Sequence, residues 1–501
     1  CLKIYTKLAV AEPNNCNKAN YHYYNARVLQ EKNSLNEAFR EYISALKYNQ
    51  KDNRYFLSLA QLANLYSEQM LFDSAQLCHA EIAKYRTNAF FHSFKTLSLL
   101  YDPKIDAQTL FSEYALWGKK LEDEQKPVTH FKDQRPLHQK LRIGYVSSNY
   151  RLHPVAYFIR AILKNHDQAN FTVYLYADVK NPDVVTEKIK TYGHIWRDFS
   201  GKSDRDLLKL ILEDEIDILV DLSGHTGNSV RVFACKPAPI VITYLDCPHT
   251  TGLSRIDYFL TDEYADPTGI TDKYYTEELF RLPNSFLCYD PLKAPPINEK
   301  PPLAKNGYLT FGNYSSTLKK ITPETIALWS SILREVEDAR FIMRTSYLNI
   351  AEVRNRVEQL FENNGVDPTR IICKGFVNYE EHLASFNDLD IMLDPIRYSG
   401  VTSNCDALWM GVPVITLAGD MHMSRTTASL LSNIGLKNLV AATEKQYRQI
   451  AKELAKNGPL LKELRRTLRQ KMILSPVMDG ASFTKNLENA YLTMWQRWLE
   501  G

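Results

Sequence analysis

The chain lacks any run of about 18 or more apolar residues, so hydropathy supplies no membrane-spanning helix. It also lacks a charge of one dominant sign. Lys and Arg number 61 against 58 Asp and Glu, a net charge of +3. No sequence-wide attraction to nucleic acid or to an anionic membrane follows, and neither is expected as a partner. Its eight cysteines (Cys1, Cys16, Cys78, Cys235, Cys247, Cys288, Cys373, Cys405) form no CxxC pair and no metal-ligand spacing. Scattered in this way, they read as reduced thiols and a cytoplasmic location rather than as a disulfide framework or a zinc site. The first residue is Cys1 rather than Met, which reads as a piece or processed form of a longer product. Glycine is absent between Tyr21 and Tyr101, which removes the commonest turn residue and points to continuous helix.

Within that glycine-free stretch two segments look alike. Ala26 and Ala63, and Ala38 and Ala75, are each 37 residues apart. Small residues at such offsets let paired helices approach closely, as in tetratricopeptide-like repeats with a usual period of about 34 residues. A further helix is expected from Asp106 to Leu121. A polar stretch with Pro127 and Pro136 then reads as a linker. At Leu141 the pattern becomes α/β: apolar runs at Leu141–Ser147, Phe171–Tyr176, Ile216–Asp221, Ile240–Leu245 and Tyr258–Leu260 alternate with helical stretches. After Pro295-Pro296 and Pro301-Pro302 the alternation restarts, with strands expected at Tyr308–Gly312, Arg340–Met343, Ile371–Cys373, Ile391–Leu393 and Val414–Leu417. The expected organisation is helical repeats over 1–121, a linker over 122–140, α/β units over 141–296 and 297–475, and a closing helix over 476–501 that packs back on the first α/β unit. Ligands of parallel sheets bind beyond the carboxyl ends of the strands, so residues just after strands are the candidates.

The segment Gly400 to Gly411, GVTSNCDALWMG, follows the strand ending at Leu393. A glycine-marked turn that opens a helix leaves N–H groups facing outward, where the helix dipole favours phosphate. Thr402 and Ser403 add donors, and Asp406, one turn in, suits a ribose hydroxyl pair. In FGNYSSTLKKITP, Lys320 sits just before a helix with Thr322 as N-cap and Pro323 at its first position. A lysine there stabilises the charge that develops on a departing diphosphate. His153 and His225 occupy post-strand loops where an imidazole can exchange a proton or hold an acceptor. His382, at a helix start, could hold a phosphate or a base edge, or simply face solvent. The pair Asp388 and Asp390 has metal-ligand spacing but precedes a strand rather than following one, so no metal is expected.

Taken together, GYVSSNYRLHP, DLSGHTG, FACKPAPI, TTG followed by DYFLTD, KKITPETIALW, EEH and TSNCDALWMGVPVITLAGD make the chain from Leu141 onward resemble the protein O-linked N-acetylglucosamine transferase family, glycosyltransferase family 41, which includes the SPINDLY-type proteins. The resemblance implies a GT-B fold, two Rossmann-like domains, behind tetratricopeptide-like repeats. It implies inverting, metal-independent transfer of N-acetylglucosamine from UDP-GlcNAc to Ser or Thr of acceptor proteins held by the repeats and the cleft, with no cofactor. By motif, His153, Lys320 and His225 fall on catalytic positions. Thr317, Val377, His382, Gly400, Val401, Thr402, Ser403, Asp406 and Pro248 fall on nucleotide-sugar positions. Asp246-Cys247-Pro248-His249 departs from the family's usual glycine-tyrosine-proline-glycine-like run beside the donor sugar. Alternatives are GDP-fucose as donor, an inactive repeat scaffold, and a sugar-nucleotide epimerase of the same fold.

Overall fold

The computed structural model describes residues 15–32, 34–48, 51–129, 131, 140–227, 229–375 and 377–501. Cys1 and residues 132–139 of the expected linker lie outside these. Among the described residues, six helices precede the sheets: α1 (Asn15–Glu31), α2 (Leu35–Lys47), α3 (Asn53–Ser67), α4 (Phe72–Ala83), α5 (Ala89–Leu99) and α6 (Ala107–Asp123). Ala26, Ala38, Ala63 and Ala75 all have 0% exposure, so the small residues spaced by 37 lie at the helix contacts. Asp52 caps α3 by accepting from Arg54 and Tyr55 N–H, and Asp106 caps α6 by accepting from Thr109 N–H.

The first sheet is wholly parallel, in the order β3-β2-β1-β4-β5-β6-β7. Its strands are β1 (Leu141–Ser147), β2 (Phe171–Ala177), β3 (Ile195–Asp198), β4 (Ile218–Asp221), β5 (Ile240–Thr243), β6 (Tyr258–Asp262) and β7 (Glu278–Leu282), and α7 (Pro154–Asn165) follows β1. The second sheet, also parallel, runs β10-β9-β8-β11-β12-β13. It contains β8 (Thr310–Tyr314), β9 (Arg340–Arg344), β10 (Ile371–Lys374), β11 (Ile391–Leu393), β12 (Val414–Leu417) and β13 (Val440–Ala441). Strand order reverses between β1 and β4 and between β8 and β11. Such switch points open a crevice at the strand ends. Between β11 and β12 runs α8 (Thr402–Trp409). The last helix, α9 (Gly480–Glu500), lies on α7, with Tyr491 and Tyr145 hydroxyls 3.0 Å apart and His166 2.9 Å from Glu488.

The edge strands β3, β7 and β13 were not expected from the sequence. Edge strands are half-exposed and interrupt the apolar run with charge, as Arg197 and Asp198 do in β3. Residue Leu245, expected at a strand end, instead has φ +70°. Bridges between the two α/β units include Ser429 donating to Asp262 at 2.5 Å and the His422 ring 2.6 Å from Asp266. Helix α6 joins the first sheet by backbone contact. A Cβ on Gly118 would come within 1.8 Å of the Gly252 carbonyl oxygen, and one on Gly252 (φ +78°) within 2.1 Å of that of Tyr114. Backbone cannot yield as a side-chain tip can. Gly118→Ala is therefore expected to lower stability by about 1–3 kcal/mol, read as a fall in the unfolding midpoint. An unchanged midpoint would show that α6 can move off the sheet at no cost.

Candidate functional site

The crevice is shaped by the turn between β11 and α8. Asp394, with 0% exposure, accepts from Gly400 N–H (2.8 Å), Asn404 Nδ2 (2.7 Å) and Thr416 Oγ1 (2.8 Å). These bonds fold the chain back so that α8 begins beside the strand end. A Cβ at residue 400 would meet Ser403 Oγ at 2.7 Å and Asn404 Oδ1 at 3.0 Å, so a larger residue there would displace these side chains. The N-cap, Val401, provides no side-chain cap. The first N–H groups of α8 are thus left for a ligand, with the half-buried hydroxyls of Thr402 and Ser403 beside them.

Lys320 ends a 3-10 turn, Leu318–Lys320, after β8. Its Nζ lies 3.9 Å from the centroid of Tyr398, a residue of the α8 entry turn. Burial pushes its ammonium down to about 8, while the carboxylates of Asp394 and Asp246 oppose that fall. Asp246 follows Leu245, where Asp246 N–H bonds back to Tyr244 O at 3.2 Å. A positive φ on leucine is a strained geometry, and here it sets Asp246 facing the lysine. Thr317, expected against the nucleotide, donates its hydroxyl to Glu68 of the helical repeats.

Asp406 is buried one turn into α8. The Tyr289 hydroxyl donates to its Oδ1 at 2.5 Å and that of Tyr379 at 3.3 Å, and His382 Nε2 stands 3.7 Å from Oδ2. Tyr157 packs on Tyr379 with ring centroids 5.3 Å apart. Tyr289, Tyr157 and Tyr398 were missed in the sequence. Their only signal is that tyrosine is abundant, 30 residues, which singles out no position. Val377 lies just before the His382 helix and is half-buried, as is Pro248 after the Asp246 turn.

His153 caps α7, its Nδ1 accepting from Val155 N–H at 3.3 Å. Burial and the Arg151 charge push it down to about 4, so the ring is neutral at pH 7. With Nδ1 accepting, the proton sits on Nε2, and that nitrogen donates rather than takes a proton. Tyr157, four residues on, lies on the same side of α7, so this cap lies near the Asp406 group. His225 has other company. Its Nε2 donates to Thr251 O at 2.9 Å, and its ring lies 4.7 Å from Tyr114 and 4.3 Å from Trp117 of α6. Burial pushes it down to about 4. Among the described residues no hydrogen bond or ring contact joins it to Lys320, Thr402 or Asp406. Of the acidic pair, Asp388 binds Lys374 at 2.9 Å, and Asp390 accepts from Leu303 and Thr310 N–H. Among the described residues no three His, Cys, Asp or Glu side chains come together as a metal site.

A family model described as Glycosyl transferase family 41 matches residues 117–295 and 303–487. A Solanum lycopersicum protein named "Probable UDP-N-acetylglucosamine--peptide N-acetylglucosaminyltransferase SPINDLY" is 39% identical over 78% of this chain. An Arabidopsis thaliana protein bearing the same name with SEC in place of SPINDLY is 32% identical over 71%. The chain spans less than half of their lengths, 42% and 37%. A solved structure of a mutant O-GlcNAc transferase from Thermobaculum terrenum is 30% identical, with a TM-score of 0.91 over 100% of this chain and 94% of its own. The fold is therefore helical repeats followed by the GT-B pair of α/β domains.

The desolvation of Lys320 is directly measurable. Acylation of lysines across pH should give Lys320 a midpoint near 8, against about 10.4 for surface lysines. A midpoint above 10 would show a hydrated ammonium and a site more open than this one.

Proposed function

Because the chain belongs to glycosyl transferase family 41, we propose that it is an inverting protein O-glycosyltransferase that moves N-acetylglucosamine from UDP-GlcNAc to Ser or Thr hydroxyls of acceptor proteins. The observation that carries this is the half-buried Lys320 beside the uncapped start of α8, with the buried Asp406 one turn further in. Breaking the bond between sugar and diphosphate puts negative charge on the departing oxygen. Lys320 and the N–H groups of α8 oppose that charge more strongly in the transition state than before it. The nearby acids are engaged by protein donors, Asp394 by three and Asp406 by two tyrosines. The chemistry is accordingly proposed to need no metal and no cofactor.

Asp406 Oδ2 is proposed to take the ribose hydroxyls, with His382 beside the base. The acceptor hydroxyl bonds to the anomeric carbon from the face opposite the leaving group. Its proton goes to a donor phosphate oxygen or to water, because His153 presents an N–H. The helical repeats and the crevice are proposed to hold the acceptor chain. No helix among the described residues is long and apolar enough to cross a membrane. The seven described cysteines are all free thiols, which supports a reducing, cytoplasmic setting.

Ligand binding raises the stability of the native state, so UDP should raise the unfolding midpoint whether or not EDTA is present. Stabilisation by GDP alone would move the assignment to fucosyl transfer, and no shift with either would leave an inactive scaffold. Lys320→Ala should lower kcat by about 10²- to 10³-fold with donor KM little changed. Lys320 is charged below its pKa, so wild-type kcat/KM should decline as pH rises through about 8. A Lys320→Ala enzyme with normal turnover would remove the lysine from this role.

A further inference from the structure

The lysine turn is held by the helical repeats as well as by its own domain. Glu68, at the C-terminal end of α3 and 3% exposed, is its main anchor. The Thr317 hydroxyl donates to one carboxylate oxygen of Glu68. Leu318 N–H donates to the other at 2.9 Å, and Lys319 N–H at 3.4 Å. The Lys319 ammonium lies 3.7 Å from Glu68 and 3.0 Å from the Asn64 side-chain oxygen. A buried carboxylate persists only when donors surround it, and here most of them come from this one turn. Within its own domain it is tied by Ser315 N–H to Arg344 O at 3.1 Å, and internally by Ser315 Oγ to Thr317 O and Ile321 N–H to Leu318 O.

A second contact comes from the end of α5. Tyr101 stacks on Tyr398 with centroids 5.5 Å apart and planes 12° from parallel. Lys319 lies over the Tyr101 ring at 4.5 Å and Lys320 over the Tyr398 ring at 3.9 Å. One ammonium group thus lies over each ring of the pair, each attracted by the ring it covers. The neighbouring Arg397 donates to the carbonyls of Leu99 and Leu100, the last of α5. The same stretch of the repeats therefore touches both the lysine turn and the entry to α8.

We propose that Glu68 and Tyr101 are positioning residues for Lys320, through which the helical repeats set the place of the lysine and couple what they bind to turnover. The proposal rests on the role given to Lys320 above. A rotation of the repeats relative to the sheets moves Glu68 and Tyr101 together, and the Lys319-Lys320 pair moves with them. Segments bound along α1–α4 can then tighten or loosen the turn without touching the donor site.

The test uses the full chain, with UDP-GlcNAc as donor and an acceptor protein it modifies. Glu68→Ala and Tyr101→Ala should each lower kcat at least tenfold with donor KM changed less than threefold. Glu68→Gln, whose amide oxygen still accepts from the turn, and Tyr101→Phe, which keeps the ring, should recover most of the loss. Independently of activity, amide hydrogen exchange at Leu318 and Lys319 should quicken at least tenfold in Glu68→Ala while the strands of both sheets keep wild-type rates. Should Glu68→Ala fail to fold, Lys319→Met probes the same contact from the other side and is judged by the same kcat and exchange criteria. Turnover within twofold of wild type in both alanine variants, with Lys320→Ala inactive, would overturn the positioning role and leave the lysine assignment standing. Exchange that quickens uniformly across the chain would also overturn it, since that marks general loosening. Normal turnover in Lys320→Ala would instead remove the premise.

Discussion

One buried carboxylate, that of Asp394, shapes the part of the molecule on which the site depends. It closes β11 and directs its oxygens to Gly400 N–H, the Asn404 amide and the Thr416 hydroxyl. Without such donors a carboxylate at 0% exposure would be strongly disfavoured. With them it forces the chain from Pro395 to Gly400 to double back, and α8 starts with its N–H groups turned toward the crevice. The Tyr447 hydroxyl donates to the Asp394 carbonyl at 2.9 Å, and the Trp329 indole to Tyr447 at 3.3 Å. The turn is thereby tied to helices behind the sheet. The Asp394 charge also favours the ammonium of Lys320 against burial. A single group so fixes both the start of α8 and the charge of the cation beside it.

A crevice proposed to take a diphosphate must not itself repel one, and this crevice holds several acids. Burial, with Asp246 nearby, pushes Asp221 at the end of β4 up to about 7. That acid is half-protonated near neutrality instead of carrying a full charge. Asp394 and Asp406 keep company with donors whose dipoles point at them. The positive partial charge of the α8 start and the Lys320 ammonium are left facing outward. Local arrangement decides the sign of the field here, because the chain as a whole is nearly neutral at +3.

Much of this was legible in the sequence where a local pattern reports it. The strands at Leu141–Ser147, Ile391–Leu393 and Val414–Leu417 have the bounds read from their apolar runs, because fully buried parallel strands are continuous in apolar character. The turn from β11 into α8 was legible for the same reason, since strand, glycine turn, hydroxyls and acid lie within a few residues. What was not legible is pairing over distance. Tyr289 meets Asp406 across 117 residues and Glu68 meets Leu318 across 250, and no periodicity marks either. His225 shows the converse. Its post-strand loop looks like a site, yet its ring lies against Tyr114 and Trp117 of α6, a contact decided by how the repeats lie on the sheet.

Two of these distant pairings, Glu68 with Leu318 and His225 with α6, lie at the junctions between the helical repeats and the two sheets. Met70 and Phe72, at the α3–α4 turn, belong to the same buried cluster as the cores of both sheets. Met70 adopts φ +58°, a left-handed conformation rare for methionine. Such strain persists only where surrounding contacts over-determine it. Here the adjacent Gln69 carbonyl accepts from Arg356 at 2.8 Å, and Glu68 holds the lysine turn. The repeats are thus not a bundle joined by a linker alone. One of their turns packs into the second α/β domain, where Glu68 bonds residues 317–319.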